Sequence, residues 1–416
     1  MWKTIVCKQF RHCLVRDGSR VVNRSCYAIY YYYTHSSVES MGSRTPRSRT
    51  FRSIRFALTQ VKSVVSQVIS VLQLLRNVLQ YLLREIKLWN EYPIPAWKRL
   101  YAWRHGFNSR IFVLLDLDNS DPSNYLSATQ QLKYIWPAVN PAYADVLENK
   151  AAYHLSTEGH VDHISEFYGL IRDGQFHAYS KTGGSLLDAL HDEGDLILKP
   201  VTGTHGRGVF HLSTNQDGYR INDEPSSEAE VIELIDGTES SVVTEYVENH
   251  AYAESISPTS VNTIRILTMR NPDTGEFFAA SAVHRFGNDS TGPVDNWSGG
   301  GFAAPVDVET GEFGDLHTYS SDGGLQRLKC HPETGTRVSG ERIPGWESAK
   351  EAAIEMAEHH RENPYVGWDI VLTDDGPVVI EGNCAPGLSL QQLGCGLLED
   401  ERVVAFLNTL APHDVS

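Results

Sequence analysis

The chain has 416 residues, 41% hydrophobic and 10% aromatic, enough for two or three domains with well-buried cores. Its charge is uneven: residues 1–56 carry 11 Lys and Arg against 2 Asp and Glu, whereas residues 57–416 carry 25 against 50. So acidic a body excludes a general nucleic-acid surface, which needs clustered cations, and fits a cytoplasmic enzyme.

The first segment, 1–56, reads as a basic arm without the features of a signal peptide, and the run Tyr30 to Tyr33 lies within it. The expectation is a disordered arm, or translation that starts at Met41. Cys7, Cys13 and Cys26 fall in this arm, while Cys330, Cys384 and Cys395 are scattered through the body. No pair has zinc-ligand spacing, so reduced cysteines are expected.

Residues 57–92 form the clearest helix. Leu58, Val61, Val65, Val68, Leu72, Leu75, Leu79, Leu82, Ile86 and Trp89 follow an unbroken three-four spacing. Lys62, Arg76 and Arg84 interrupt it short of a membrane span of ~20 apolar residues. Two readings stay open for 57–90. One is a helix packed on its own protein or on a coiled-coil partner. The other is a peripheral amphipathic helix on an anionic membrane, with Arg44, Arg47, Arg49, Arg52 and Arg55 just upstream.

After a lead-in region, 93–145, short apolar runs read as strands: 111–117, 196–200, 241–247, 263–269 and 378–383. A helix is expected over 346–360. Strands and helices interleave without a Rossmann fingerprint, which gives an α+β or α/β protein with antiparallel elements.

Near the C-terminus, Thr373-Asp374-Asp375-Gly376-Pro377 is a turn signal between two strand-like runs. A hairpin centred on Asp375 sets Asp369 opposite Glu381 and places Asp369, Glu381 and Asn383 on one face. Two carboxylates and an amide so placed suit Mg²⁺, with Mn²⁺ as the alternative. A one-residue slip in pairing would destroy the alignment. Upstream, LILKPVTGTHGRGVF delivers Lys199 on a strand and a loop rich in Gly203, Gly206 and Gly208, with His205 and Arg207 adding charge. The loop leads into a strand rather than a helix, so it is not a Walker loop.

A strand-end lysine, a glycine-rich strand–loop–strand, the VVTEYVENH strand and a terminal Asp…Glu-x-Asn hairpin occur in that order. This order resembles the ATP-grasp superfamily over roughly residues 140–400. The resemblance implies an ATP-grasp fold of two α+β subdomains that clamp ATP, a lid at 146–247 and a metal-binding part at 248–412. It implies that Lys150 and Lys199 contact the nucleotide, with Lys181 the main rival of Lys150. Glu245, Tyr246 and Val247 would form the adenine hinge, and Asp369, Glu381 and Asn383 the metal ligands. Arg265, Arg285, Asn296 and Gly299 to Gly301 resemble the glutamate-ligase-like branch, where such groups hold phosphate and substrate carboxylate. The WKRLYAWRHGF lead-in, the VDVETGE and HPETG segments and the final IEGN…PG resemble the sugar-transfer-associated ATP-grasp family. Cys384 after Asn383 and the unusual first 90 residues depart from it.

The implied activity is an ADP-forming ligase that joins a carboxylate, small or glycan-linked, to an amine or other nucleophilic co-substrate in polysaccharide biosynthesis. A phosphotransferase acting on a hydroxyl is the alternative. No Ser/His/Asp or Cys/His set is apparent, as expected where placement and electrostatics dominate.

Overall fold

The computed structural model describes residues 79, 83 and 85–410, apart from 93, 132–134, 136–138, 141–142, 180–183, 204–207, 217 and 293. The 1–56 arm, most of the 57–92 helix, Lys181, His205, Gly206 and Arg207 therefore lie outside the described residues.

Residues 79, 83 and 85–88 are helical and lead into α1 (Ala96–Arg104) and α2 (Ser109–Leu114). The apolar run 111–117, expected as a strand, is the end of α2 followed by turns. Asn108 decides this locally: its side chain accepts from Ile111 N at 2.9 Å and caps the helix start. Phe112, Leu114, Leu115 and Leu117 are buried all the same, so the run is apolar because it packs, not because it is extended. A further helix, α3 (Lys150–Thr157), precedes the first sheet.

That sheet has seven antiparallel strands in the order β2-β1-β7-β3-β4-β5-β6. They are β1 (Phe167–Arg172), β2 (Gln175–Ala178), β3 (Asp195–Pro200), β4 (Phe210–Asn215), β5 (Gly218–Ile221), β6 (Glu224–Ser226) and β7 (Ser240–Glu245). Two helices cover one face, α4 (Leu186–Glu193) and α5 (Glu228–Asp236), each started by a serine capping box at Ser185 and Ser227. Leu186, Leu190, Val231 and Ile235 pack there on Leu196, Leu198, Leu212 and Val243.

The second sheet also has seven antiparallel strands, in the order β12-β11-β10-β9-β8-β13-β14. These are β8 (Ile264–Arg270), β9 (Phe277–Phe286), β10 (Phe302–Val306), β11 (Leu316–Tyr319), β12 (Leu325–Leu328), β13 (Tyr365–Thr373) and β14 (Gly376–Asn383). Alternation along the strands divides its two faces. Ile264, Ile266, Ala282, Phe286, Val366, Trp368 and Ile370 join a core capped by α6 (Trp346–His359) through Trp346, Ala349, Ala353 and Met356. Burying each large apolar side chain there contributes about 2 kcal/mol. The opposite face receives α7 (Glu401–Leu410), with Val403, Phe406 and Leu407 against Leu267, Met269 and Tyr365. The same face carries Arg265, Arg285 and Asp369, the intervening residues of β8, β9 and β13.

Candidate functional site

The terminal hairpin reaches the expected alignment by a different route. Thr373 pairs with Gly376, so the turn is the two-residue Asp374-Asp375 and is not centred on Asp375. A regular ladder from that turn would set Asp369 opposite Ile380. Ile380 is instead extruded as a β-bulge: Ile370 still pairs with Val379, whereas Asp369 pairs with Glu381 and Gly367 with Asn383. Asp369, Glu381 and Asn383 thus share one face.

Asp369 also faces Arg265 across the β8–β13 pairing. Arg265 grips this carboxylate with both prongs of its fork, Nε to Oδ1 and Nη2 to Oδ2, the latter at 2.6 Å. Arg285 comes from β9, with Nη2 3.2 Å from Asp369 Oδ2. Burial alone would raise the Asp369 pKa, but the two guanidiniums outweigh it and hold the carboxyl below its ordinary range. Both arginines thus pair with the carboxylate expected to face the metal.

Asp295 joins this cluster and was missed in the sequence, where its neighbour Asn296 was the candidate. Asp295 is buried, and its Oδ1 is 3.4 Å from Arg285 Nη2. Its Oδ2 accepts from Thr263 N at 2.8 Å and from the Thr263 hydroxyl. That hydroxyl oxygen accepts from Arg285 Nε at 3.0 Å. Arg285 is therefore fixed from three sides, and Asp295 and Asp369 hold it charged against the opposing effect of burial. Burial raises the Asp295 carboxyl above its ordinary range. Asn296 sits at the start of a tight turn, where its carbonyl accepts from Gly299 N at 3.0 Å and Gly301 N at 3.2 Å. Gly301 has no room for a Cβ, which would lie 2.9 Å from Phe286 O.

The lysines approach from the other side. Asn149 caps α3, and Lys150 N donates to Val201 O at 2.9 Å, which ties the helix start to the end of β3. The buried Lys150 ammonium lies 3.4 Å from Glu381 Oε2 and donates to Gly203 O at 3.4 Å. Lys199, half-buried on β3, pairs in register with Val242 of β7. Burial pulls its ammonium down to about 8, and nearby Lys150 adds to this, against Glu381, Asp369 and Glu245. One turn along α3 from Lys150, His154 is buried and stacks on Phe167 with ring centroids 5.2 Å apart. Burial, reinforced by Lys199 and Lys150, lowers its pKa to about 3, so it stays neutral.

At the end of β7, Glu245 Oε2 accepts from Glu166 N at 3.0 Å. Tyr246 stacks on His211, centroids 4.2 Å apart, and His211 Nε2 is 2.7 Å from Asp195 Oδ1. Val247 is buried beside them. Gly208 has φ of 72°, a left-handed position that favours glycine, and closes the loop described on its other side by Gly203.

Among the described residues, no three His, Cys, Asp or Glu side chains converge as a protein-only metal cluster. Two carboxylates and an amide are nevertheless the donor set Mg²⁺ uses when nucleotide phosphates and water supply the rest. Asn383 Nδ2 donates to Gly367 O at 3.4 Å, which leaves its oxygen as the donor end. Carboxylate oxygens each have two lone pairs, so Asp369 can serve arginine and metal together. The residues present fit the ion.

The sequence matches the model of a family described as sugar-transfer associated ATP-grasp over residues 129–405. No curated protein matches the chain. Solved structures that resemble it include D-alanyl-alanine synthetase A from Vibrio cholerae O1 biovar eltor str. N16961, at 13% identity and a TM-score of 0.36, covering 67% of this chain and 65% of that one. D-alanine–D-alanine ligase from Bacillus anthracis gives 12% and 0.32, with 66% and 70% covered. An ADP complex of N5-carboxyaminoimidazole ribonucleotide synthetase gives 13% and 0.31, with 58% covered; this chain spans only 46% of that protein's length.

Proposed function

The chain belongs to the sugar-transfer associated ATP-grasp family, and on that premise we propose that it is an ATP- and Mg²⁺-dependent ligase that activates a carboxylate as an acyl phosphate. The observation that carries this reading is the shared face of Asp369, Glu381 and Asn383, ringed by Lys150, Arg265 and Arg285.

In this reading Asp369, Glu381 and Asn383 hold Mg²⁺. When bound, the ion neutralises charge on the transferring phosphoryl group. Lys150 and Lys199 bind phosphate oxygens of ATP, assisted by the backbone of the 203–208 loop. Glu245, Tyr246 and Val247 flank the adenine, with the His211–Tyr246 stack as a wall. Arg285, braced by Asp295 and Thr263, and Arg265 orient the substrate carboxylate.

A carboxylate oxygen then attacks the γ-phosphorus as the bond to the bridging oxygen breaks and ADP leaves. An amine attacks the carbonyl carbon of the acyl phosphate, inorganic phosphate departs, and the amine proton passes to solvent. No titrating histidine is required, in keeping with the neutral His154. Catalysis rests on placement and fixed charge.

The test is Mg²⁺-dependent ADP release with pooled amino acids and sugar acids, on wild type and Glu381→Ala. The ligase reading expects release that depends on an added carboxylate, disappears in the variant and is trapped as a hydroxamate by hydroxylamine. Release driven by a hydroxyl acceptor without hydroxamate would replace it with a phosphotransferase. Absence of ATP binding would end both readings.

A further inference from the structure

The helices that precede the first sheet bury Leu88, Ala102, Phe112 and Leu114 on their inward side, and a polar knot is buried among them. Arg99 of α1 is buried and donates to Glu85 Oε1 at 3.0 Å, Ser109 Oγ at 2.6 Å, Trp89 O at 2.9 Å and Tyr92 O at 2.5 Å. Glu85 is equally buried and accepts from Ser109 N at 3.1 Å. This knot fixes the residues around 85–92 to α1 and α2.

The outward side carries several large apolar residues. Leu79, Leu83 and Ile86, spaced by four and three along the helix, are 57%, 57% and 68% exposed. On α1, Trp97 and Leu100 are 63% and 62% exposed, and Tyr101 and Trp89 are also open to solvent. At its described end the stripe of the 57–90 helix, for which a packed and a membrane-facing reading both stand, is exposed at Leu79, Ile86 and Trp89. Exposed apolar faces of this kind mark interaction sites.

Charge selects the occupant. Residues 1–110 hold 19 Lys and Arg against 4 Asp and Glu, whereas residues 111–416 hold 17 against 48. The apolar face therefore belongs to the cationic end of the sequence of an acidic protein, and within 85–104 Lys87 and Arg104 are exposed with one acid, Glu91. Lys98 beside Trp97 is paired with Asp118, and Arg99 beneath Trp89 belongs to the buried knot, so the cations free to meet headgroups are Lys87 and Arg104. Exposed tryptophans with Leu and Ile beside them suit the boundary between lipid headgroups and acyl chains. Among the described residues no helix is long and apolar enough to cross a membrane. We propose that this face docks the protein on an anionic lipid surface, with the apolar side chains inserted and the exposed Lys87 and Arg104 facing headgroup charge. The inference does not rest on the ligase chemistry.

The test is flotation of the full chain with vesicles of phosphatidylcholine alone, or of phosphatidylcholine mixed with phosphatidylglycerol, at low and high salt. Wild type is expected to float with the anionic vesicles only and to be released by salt. Trp97→Glu with Leu100→Glu, and separately Leu83→Gln with Ile86→Gln, should each lower the partition at least about tenfold while the melting curve holds. The second pair lies on the other helix and covers the case in which the first fails to fold. Flotation that ignores lipid charge, or that both pairs leave intact, would overturn the proposal. So would absence of flotation, or a wild-type dimer that either pair converts to monomer, since a second copy would then cover the face.

Discussion

Asp369→Asn is the substitution that bears hardest on the charge network. It keeps the shape of the side chain but removes the charge that two guanidiniums share. Removing one partner of a buried ion pair costs about 3–5 kcal/mol, because the remaining charge stays buried. Arg285 retains Asp295 at 3.4 Å, and Arg265 keeps one acceptor oxygen, so the expected loss is about 3 kcal/mol, at the lower end of that range. In urea, at a slope of about 3 kcal/mol/M, the unfolding midpoint should fall by about 1 M. Inorganic phosphate supplies the missing negative charge, so it should restore more stability to the variant than to wild type. A midpoint that stays within about 0.2 M of wild type, with no differential effect of phosphate, would refute the reasoning. It would mean that Arg265 and Arg285 do not depend on Asp369.

Lys199 gives a pH dependence with two opposite signs. Its ammonium titrates at about 8 in the folded protein, below the ordinary lysine range, so between those limits the unfolded chain binds more protons and stability rises with pH. ATP affinity of the free protein should instead fall as pH rises through about 8, and Lys199→Arg should flatten that fall in a binding titration across the window. Arg99→Met leaves Glu85 buried without its cation and should cost about 3–5 kcal/mol locally, seen as faster proteolysis of the 79–104 segment. Adding Glu85→Gln to that variant should recover part of the loss. Gly311→Ala places a Cβ 2.5 Å from Trp346 Cγ at a φ of 70° and should lower stability by about 2–4 kcal/mol in thermal unfolding.

The strands that build the site were legible because their sequences alternate and their turns are marked. The runs 196–200, 241–247, 263–269 and 378–383 became β3, β7, β8 and β14, and the helix expected over 346–360 became α6. Other features were not legible, for reasons that can be named. The run 111–117 lacks alternation, and the Asn108 cap rather than its hydrophobicity makes it helical. Asp295 lies ten residues from Arg285 and 32 from Thr263, and no periodicity links an acid in a loop to partners on β9 and just before β8. At the described end of the apolar stripe before residue 90, period alone does not tell inside from outside: Leu79, Ile86 and Trp89 are exposed, while Leu88 and a buried Arg–Glu pair face inward. His154 and His211 carry no spacing signal; their neighbours come from other elements.

The extruded Ile380 changes what a change of chain length does to the hairpin. In a regular strand, loss of one residue turns every later side chain to the opposite face. Here, deletion of Ile380 would draw Val379 and Glu381 together as successive residues opposite Ile370 and Asp369, the partners they already have. Every later side chain would keep its face, and only the extra local twist of the strand would be lost. The shortened chain therefore separates which carboxylates the hairpin presents from the angle at which it presents them.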